Sequence, residues 1–203
     1  FILFKPKDIV SGDFYWVAKG DREEHPAHIL LVGDCTGHGV PGAFMSMLCN
    51  DLLNQTVNEK GIYGPSAIFE KVRQGIIKTL KQTGERGGQK DGMDAVICTF
   101  YPSAKILKCS CANNPVFIVS GAGMQLCDES GNVIDPKISV NGRNLYEMKA
   151  DRQPVGYQGG VEAPFTRHKV VLNSGDVVYL FSDGLQDQFG GPKGKKFMKK
   201  QLK

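Results

Sequence analysis

The chain has 203 residues, 41% of them hydrophobic and 23% charged, and this balance excludes a disordered protein and fits one globular domain. Its net charge of +4 comes from the last eleven residues, which hold six lysines and leave 19 basic against 21 acidic groups in residues 1–192. Because no basic stripe with interleaved aromatic residues runs through the rest, we expect no nucleic-acid partner. No apolar run approaches the roughly 18 residues of a membrane span, so we expect no membrane segment.

Two strands are predicted at the start of the chain. The first covers residues 9–18 and is interrupted by Ser11-Gly12-Asp13. The second covers residues 27–32, where a continuous apolar run stops at Gly33-Asp34, as expected of a buried strand that ends in a turn.

Two helices are predicted next. Pro41 suits a first helical turn, and the segment after it has apolar residues at three- and four-residue spacing. This stripe consists of Phe44, Met47, Leu48 and Leu52. Ser66 is a good N-cap for a second helix that runs to about residue 81. The second stripe consists of Ile68, Phe69, Val72, Ile76 and Leu80.

The remainder of the chain is rich in strands. Residues 82–92 read as a polar, Gly-rich loop, and residues 121–147 are ambiguous. The first three strands after the loop are expected to form a meander of antiparallel hairpins. Two consecutive helices between strand-rich halves indicate an α+β domain with antiparallel sheet. Strands are predicted at residues 94–100, 106–112, 116–119, 169–172 and 177–181.

Three aspartates in separate segments are the strongest candidates for chemistry. Asp13 follows a Ser-Gly pair, whereas Asp34 and Asp183 each end an apolar strand and have glycine close behind. Each of them alone indicates a turn. Together, without a comparable cluster of His or Cys, they indicate a site for oxygen-liganded cations such as Mg²⁺ or Mn²⁺. Two such ions about 3.5–4 Å apart activate a water and bind a phosphoryl group.

The segment Gly37-His38-Gly39-Val40-Pro41-Gly42 also matches the G-x-G-x-x-G fingerprint of dinucleotide-binding folds. Against this match, the charge of Asp34 would repel a pyrophosphate, and Pro41 removes one backbone donor. The predicted helix also leads to another helix instead of a parallel strand. A nucleotide-dependent enzyme is therefore the less favoured alternative.

His38 and Cys35 lie close to the second aspartate. His38 titrates near neutrality, so it is a candidate proton donor to a leaving group; the alternative is a local hydrogen bond that shapes the Gly-rich turn. Cys35 is not expected to be a nucleophile, because the charge of Asp34 raises the pKa of a nearby thiol. The backbone carbonyl of Cys35 is instead a candidate metal ligand.

The C-terminal segment Gly190-Gly191-Pro192-Lys193-Gly194-Lys195-Lys196 is similar to a phosphate-binding loop in composition only. Phe189 stands five places before Gly194, where the motif requires its first glycine, and Lys196 stands where a Ser or Thr is needed for Mg²⁺. We expect a basic turn that opens a C-terminal helix.

Six segments, in order along the chain, carry a common pattern. The first three are Val10-Ser11-Gly12-Asp13-Phe14-Tyr15, Gly33-Asp34-Cys35-Thr36-Gly37-His38-Gly39-Val40-Pro41-Gly42-Ala43 and Tyr179-Leu180-Phe181-Ser182-Asp183-Gly184. The others are Asp91-Gly92-Met93-Asp94-Ala95, Ala112-Asn113-Asn114-Pro115 and Gln153-Pro154-Val155-Gly156. This set resembles the motifs of the type-2C (PPM) serine/threonine phosphatases, and more closely those of their bacterial SpoIIE-like branch. The resemblance extends over nearly the whole chain.

The resemblance implies an α-β-β-α sandwich, in which two antiparallel sheets are flanked by helices and a dinuclear Mn²⁺ or Mg²⁺ site lies between the sheet ends. By motif, Asp34 would bridge the two ions and Asp183 would hold one of them. Asp13 would hold the other, largely through water, together with the carbonyl of Cys35. A water between the ions would attack phosphorus, with Asp34, Asp183 and His38 as the catalytic candidates.

The chain departs from the family pattern in two places. Cys35 stands where the family commonly has glycine, a change that keeps the carbonyl. The family also has a further metal-binding Asp near its C-terminus, and the chain ends at Lys203 without one. We therefore predict a single SpoIIE-like domain over residues 1–203, truncated at the C-terminus and weakly active or inactive as it stands.

The resulting hypothesis is metal-dependent hydrolysis of phosphoserine or phosphothreonine on a protein, by the output domain of a bacterial signalling protein. The resemblance implies a phosphorylated anti-anti-sigma-type protein as substrate and a sensory module before Phe1, and it allows a homodimer. Six cysteines without zinc-site spacing favour the reducing cytoplasm. The alternative is a non-catalytic relative that binds a phosphoprotein or regulates a partner.

Overall fold

The computed structural model describes residues 1–6, 8–20, 26–83, 90–157, 159, 163–190, 192 and 194–198. Two α-helices, α1 (Gly39–Asn54) and α2 (Pro65–Thr79), are joined through a π-helical turn at Gln55–Glu59, and a 3₁₀ turn covers Asp183–Leu185. The strands of the described part are β1 (Asp13–Gly20), β2 (Ala27–Cys35), β3 (Gly92–Tyr101), β4 (Ile106–Ala112), β5 (Val116–Val119), β6 (Cys127–Asp128), β7 (Ile138–Val140), β8 (Arg143–Met148), β9 (Val155–Gly156), β10 (His168–Val171), β11 (Val177–Tyr179), β12 (Phe189–Gly190) and β13 (Lys195–Lys196).

A seven-stranded antiparallel sheet forms the larger half of the molecule. Its strands follow the order β1-β2-β3-β4-β10-β6, and β9 pairs with the start of β3. Strand β3 lies inside this sheet and is buried on both faces. Ala95 and Ile97 face a core beneath the helices, whereas Val96 and Cys98 face a core shared with the second sheet. The antiparallel pairing predicted for β3 and β4 is confirmed.

The second sheet has four strands in the order β11-β5-β8-β7. Because β5 pairs with β8 and β11 instead of continuing from β4, the predicted meander was wrong beyond β4. The chain changes sheets at Asn113-Asn114-Pro115, where Asn113 has a φ of 59° and Pro115 has no N–H to extend the ladder. Strands β10 and β11, although neighbours in the chain, also belong to different sheets.

Both α-helices pack on the seven-stranded sheet and on each other. Together with the two antiparallel sheets, this arrangement confirms the expected α+β sandwich. Helix α2 begins at Pro65 with Gly64 as its N-cap, so the predicted N-cap at Ser66 was wrong by two residues. Its apolar stripe was predicted correctly, and the fully buried members are Ile68, Phe69, Val72 and Ile76.

Helix α1 buries a face that differs from the predicted one. Its buried residues are Gly42, Met45, Cys49 and Leu53. Leu48 and Leu52 pack against the edge of this core, whereas Phe44 and Met47 are each 67% exposed. The prediction followed the largest apolar side chains. The helix instead buries the small Gly42, where an added Cβ would lie 2.6 Å from the carbonyl oxygen of Gly37 and 3.1 Å from the Cα of Gly12.

The strand ends near the aspartates also differ from the prediction. Strand β1 begins at Asp13 and not at residue 9, and β2 continues through Gly33-Asp34 to Cys35. Asp13 and Asp34 are therefore members of the ladder, and they are paired directly opposite each other. Strand register therefore determines the positions of both aspartates. A residue in a turn beyond the strand end would not be placed by the register.

The segment that was ambiguous from the sequence, residues 121–147, contains a hairpin between β7 and β8. Its turn is Asn141-Gly142, with φ of 51° and 75°, the left-handed values that a type I′ turn requires at both positions. Strands β12 and β13 pair across the basic turn, and the helix predicted to follow this turn falls mainly on residues that the structure does not describe. Residues 84–89 of the predicted loop and residues 199–203 lie outside the described residues. No described helix is long and apolar enough to cross a bilayer.

Candidate metal centre

Three aspartates stand in one row across three neighbouring strands. Asp13 of β1 is paired with Asp34 of β2, and Asp34 is paired with Asp94 of β3. Residues directly opposite each other in antiparallel strands have Cα atoms about 4.5–5.5 Å apart and point to the same face. In each strand the alternate residues are buried beneath the helices, so the three half-buried carboxylates lie on the face that turns toward the second sheet.

A fourth carboxylate reaches this row from the other sheet. Asp183 opens the 3₁₀ turn that follows β11, and the protonated carboxyl of Asp34 donates a hydrogen bond to it. The charge of Asp183 also acts on Asp13 and on Asp94. The structure thus brings together Asp13, Asp34 and Asp183, the three residues that the sequence singled out. They line a cavity of about 340 Å³.

Crowding of like charges dominates the electrostatics of the site. Burial raises the pKa of the Asp34 carboxyl to about 7, and the charges of Asp13 and Asp183 add to the increase. Burial likewise raises the pKa of Asp13, although a hydrogen bond from the Ser182 hydroxyl opposes the change. The pKa of Asp94 is raised by burial and lowered in part by a hydrogen bond from Asn113. Burial and mutual repulsion therefore favour a bound proton on Asp34 up to about neutral pH.

The donor atoms of the site fit a hard cation. Oδ1 of Asp13 is buried and has no hydrogen-bond partner among the described residues. A Cβ on Gly12 would lie 2.9 Å from the carbonyl oxygens of both Cys35 and Gly37, so these two oxygens face the backbone next to Asp13. No group of three described Asp, Glu, His or Cys side chains is arranged to hold one ion by itself. Mg²⁺ needs no such group, because it keeps several waters and uses one or two carboxylates.

The Cys35 thiol takes no part in this arrangement. Its side chain is buried, and its sulfur lies 3.8 Å from the sulfur of Cys49 beneath α1. The hydrogen bond with Cys49, burial and the nearby acids raise the pKa of the Cys35 thiol far above its ordinary value. An un-ionised thiol is a poor nucleophile, so only the carbonyl of Cys35 remains available to the site.

His38 lines the same cavity as Asp34 from the N-cap position of α1. Its backbone is extended, and its side chain makes no capping hydrogen bond to the helix. The ring is exposed, and no described residue forms a hydrogen bond with it. Within the described part of the chain, no local hydrogen bond of the ring shapes the turn, and the role of His38 as a proton donor stays a prediction.

The turn that carries His38 is held by backbone contacts and by Thr36. The Thr36 N–H donates to the carbonyl of Gly92 at 2.9 Å, and the Gly92 N–H donates to the Thr36 hydroxyl at 3.1 Å. Gly37 and Gly39 have φ of 93° and 59°, values that favour glycine. Because both neighbours of β2 are antiparallel to it, the parallel strand–helix–strand unit of a dinucleotide fold is absent, and that alternative was wrong.

Asp94 is the residue of this cluster that sequence reasoning missed. Its segment was noted as one of the six motif segments and as the opening of a strand, but no role was assigned to Asp94. Within that strand, however, Asp94 alternates with the buried Met93 and Ala95 and shares a face with Val96. An acid at the inner-facing position of a strand buried on both sides is unusual, because its charge must be compensated there. The sequence signal for Asp94 was therefore a single acid within an otherwise apolar strand.

Comparisons with known proteins give consistent matches. A family model described as Stage II sporulation protein E (SpoIIE) matches residues 26–203. The solved SiaA-PP2C domain of Pseudomonas aeruginosa is similar at 26% identity with a TM-score of 0.74, over 100% of this chain and 68% of that chain. No curated protein sequence matches significantly.

Two more distant structures share the fold. One contains the PP2C phosphatase domain and a fragment of the regulatory domain of the cell fate determinant SpoIIE from Bacillus subtilis, at 17% identity and a TM-score of 0.60. This match covers 88% of the present chain and 42% of that chain. The other is RsbX in complex with magnesium, at 17% identity and a TM-score of 0.55, over 90% of this chain and 71% of that chain.

Proposed function

Because this chain belongs to the SpoIIE family of PP2C-type phosphatase domains, we propose that it hydrolyses phosphoserine or phosphothreonine on a protein with the help of Mn²⁺ or Mg²⁺. The observation that carries the proposal is the meeting of Asp13, Asp34 and Asp183 at one cavity, although they come from distant parts of the chain. The RsbX relative with magnesium supports the class of ion.

The charge of the cavity itself supports a metal requirement. Asp8, Asp13, Asp34 and Asp183 line it, and His38 is the only basic side chain among the described lining residues. A phosphate group with nearly two negative charges would be repelled by these acids. Bound divalent ions would reverse the sign of the site, and when bound they activate a water and stabilise the charge on the phosphoryl oxygens.

The residues of the chain then have distinct proposed roles. Asp34 stands in the middle of the carboxylate row and would hold the ions together with Asp183. Asp13 would contribute its unpartnered Oδ1, and the carbonyl of Cys35, which lies against the adjacent Gly12, would be a further ligand. The free ring of His38 is suited to donate a proton to the serine or threonine oxygen as it leaves.

The proposed setting is a bacterial signalling protein in which this domain is the output. The SpoIIE structure from Bacillus subtilis, in which a PP2C domain occurs with part of a regulatory domain, supports such an arrangement. A phosphorylated anti-anti-sigma-type protein is the proposed substrate class. A sensory module elsewhere in the same protein would control it, and a cytoplasmic location is consistent with both.

The proposal is tested by metal-dependent turnover. The chain is treated with EDTA, dialysed and assayed with p-nitrophenyl phosphate and with a phosphoserine peptide, with and without added Mn²⁺. In keeping with the weak activity predicted for this chain, we expect slow hydrolysis of both substrates with Mn²⁺ and none without it, and no hydrolysis of a matched phosphotyrosine peptide in the same assay. Binding of the phosphoserine peptide without any turnover at saturating Mn²⁺ would favour the non-catalytic alternative.

A further inference from the structure

Asp94 has no role in the function proposed above, yet it is paired directly with Asp34. We propose that Asp94 belongs to the ligand set of the metal centre, and that Asn113 is the positioning residue that holds the Asp94 carboxylate in place. This inference rests on the proposed metal centre. It adds a ligand to the centre and a residue that acts through that ligand.

Asp94 stands at the end of the carboxylate row that is farther from Asp13. In the row formed by β1, β2 and β3, Asp34 lies between Asp13 and Asp94. Asp94 does not line the cavity beside Asp13, and it meets the site through Asp34 and Asp183. Its carboxylate is therefore placed on the side of Asp34 that is opposite to Asp13.

Asn113 holds one oxygen of Asp94 and leaves the other available. The side-chain amide of Asn113 donates to Oδ1 of Asp94 at 2.7 Å. Within the described part of the chain, Oδ2 of Asp94 receives no hydrogen bond. The donor is a neutral amide, which orients the carboxylate without cancelling its charge. A Lys or Arg in the same place would form an ion pair and leave nothing for a cation.

Hydrogen bonds with residues outside the site hold Asn113 in position. Asn113 has a left-handed φ of 59°, and its backbone N–H donates to the carbonyl of Asp151 at 2.9 Å. The carboxylate of Asp151 accepts hydrogen bonds from the N–H and the hydroxyl of Thr166, both at 2.7 Å. The Asp151 N–H donates to the carbonyl of Cys111. Such supporting shells keep a metal ligand in its binding orientation, and removing one costs about 10–100-fold in metal affinity.

The test is the affinity for Mn²⁺, measured by isothermal titration and by the loss of the free-ion EPR signal, so it does not depend on catalysis. We compare the wild-type chain with Asp34→Asn, Asp94→Asn and Asn113→Gly. Glycine removes the amide and tolerates the left-handed φ, so the turn should remain intact. The matched control is Asn141→Gly, another left-handed Asn at a turn that is remote from the aspartates in the fold.

We expect Asp94→Asn and Asn113→Gly each to raise the dissociation constant of one Mn²⁺ by about 10–100-fold. Asn141→Gly should bind as the wild type does, and the melting temperature without metal should not fall in Asp94→Asn. If Asp34→Asn loses Mn²⁺ while Asp94→Asn and Asn113→Gly bind it as the wild type does, the role of Asp94 is refuted and the proposed function stands. If the wild type binds no Mn²⁺, both are refuted.

Discussion

The two walls of the candidate metal centre are built in different ways. Asp13, Asp34 and Asp94 stand on β1, β2 and β3, where eight residue pairs join β1 to β2 and eight join β2 to β3. Asp183 stands on a three-residue 3₁₀ turn after β11, and three residue pairs join β11 to β5. The first wall is part of a long ladder, whereas the second is attached to the short edge strand of the other sheet.

The fold by itself determines the spacing of the carboxylates on the first wall, whereas a ligand is needed to strengthen the contact between the two walls. Register alone determines the spacing of the first three carboxylates, so their crowding is built into the sheet. Asp183 meets Asp34 through a shared proton in the metal-free protein. A cation that replaces this proton would join the seven-stranded sheet to the four-stranded one. Any ligand that binds only the folded state stabilises it, so metal binding should strengthen the contact between the walls.

The largest expected effect is the loss of turnover when Asp34 is removed from the first wall or Asp183 from the second. Asp34→Asn and Asp183→Asn should each lower kcat/KM by about 10³-fold or more, since metal assistance contributes several kcal/mol and about 4 kcal/mol corresponds to that factor. Without metal, Asp34→Asn should melt at a higher temperature than the wild type, because it relieves the crowding of the ladder wall. Steady-state kinetics and a melting curve in EDTA check the two parts. Wild-type-like turnover in Asp34→Asn would remove the metal assignment.

Substitution of His38, which belongs to neither wall, should have a smaller effect on turnover. His38→Gln should lower kcat for a phosphoserine peptide by about 10²-fold, the usual range for a proton donor. The loss should be much smaller for p-nitrophenyl phosphate, because its leaving group needs little protonation. Mn²⁺ affinity should stay unchanged. An equal loss with both substrates would show that His38 does not protonate the leaving group.

The packing of the ladder wall is tested by Gly12→Ala. A Cβ at this position would lie 2.9 Å from two backbone oxygens, which cannot move as a flexible side chain can. Overpacking of this kind costs about 1–3 kcal/mol, and each kcal/mol lowers the Tm of a chain of this size by about 2–4 °C. Gly190→Ala is the control, since nothing lies within 4 Å of its Cβ position. Equal Tm values for the two variants would contradict the close approach at Gly12.

The smallest effect is a pH dependence of the metal-free protein. The pKa of Asp34 is about 7 in the folded state against an ordinary 3.8, so between these values the folded protein binds more protons than the unfolded one. The free energy of unfolding should therefore fall as the pH rises from about 4 to about 7. Melting temperatures in EDTA across this range check the sign. The decrease should be reduced in Asp34→Asn and in the presence of Mn²⁺, and an increase with pH in EDTA would be inconsistent with the crowded site.

Sequence periodicity correctly predicted the elements in which the large apolar side chains are the buried ones. The stripe of α2 and the strands β3, β4 and β5 belong to this group. The burial of α1 was not predictable in the same way, because the small Gly42 and Cys49 face the sheet while Phe44 faces outward. The hairpin at Asn141-Gly142 could have been recognised, since this dipeptide is a strong type I′ signal.

The three aspartates to which the motifs assign a role were predicted, whereas Asp94, whose segment assigns it no role, was missed. Asp13, Asp34 and Asp183 lie in recognisable segments, so their meeting was foreseen. Asp94 acquires its significance only from the register that sets it opposite Asp34, and register between strands about sixty residues apart is a property of the folded sheet. The change of sheet after β4 was missed for a related reason, because a turn in the sequence does not reveal which strand will be the next partner.

The central claim is that sequence-distant carboxylates of the two sheets hold divalent ions, and anomalous diffraction tests it most directly. Crystals of the chain grown with Mn²⁺ would be measured on both sides of the manganese absorption edge. We predict anomalous peaks within coordination distance of the carboxylate oxygens of Asp34 and Asp183. Crystals with saturating Mn²⁺ that show no peak there, or peaks only elsewhere on the surface, would contradict the account.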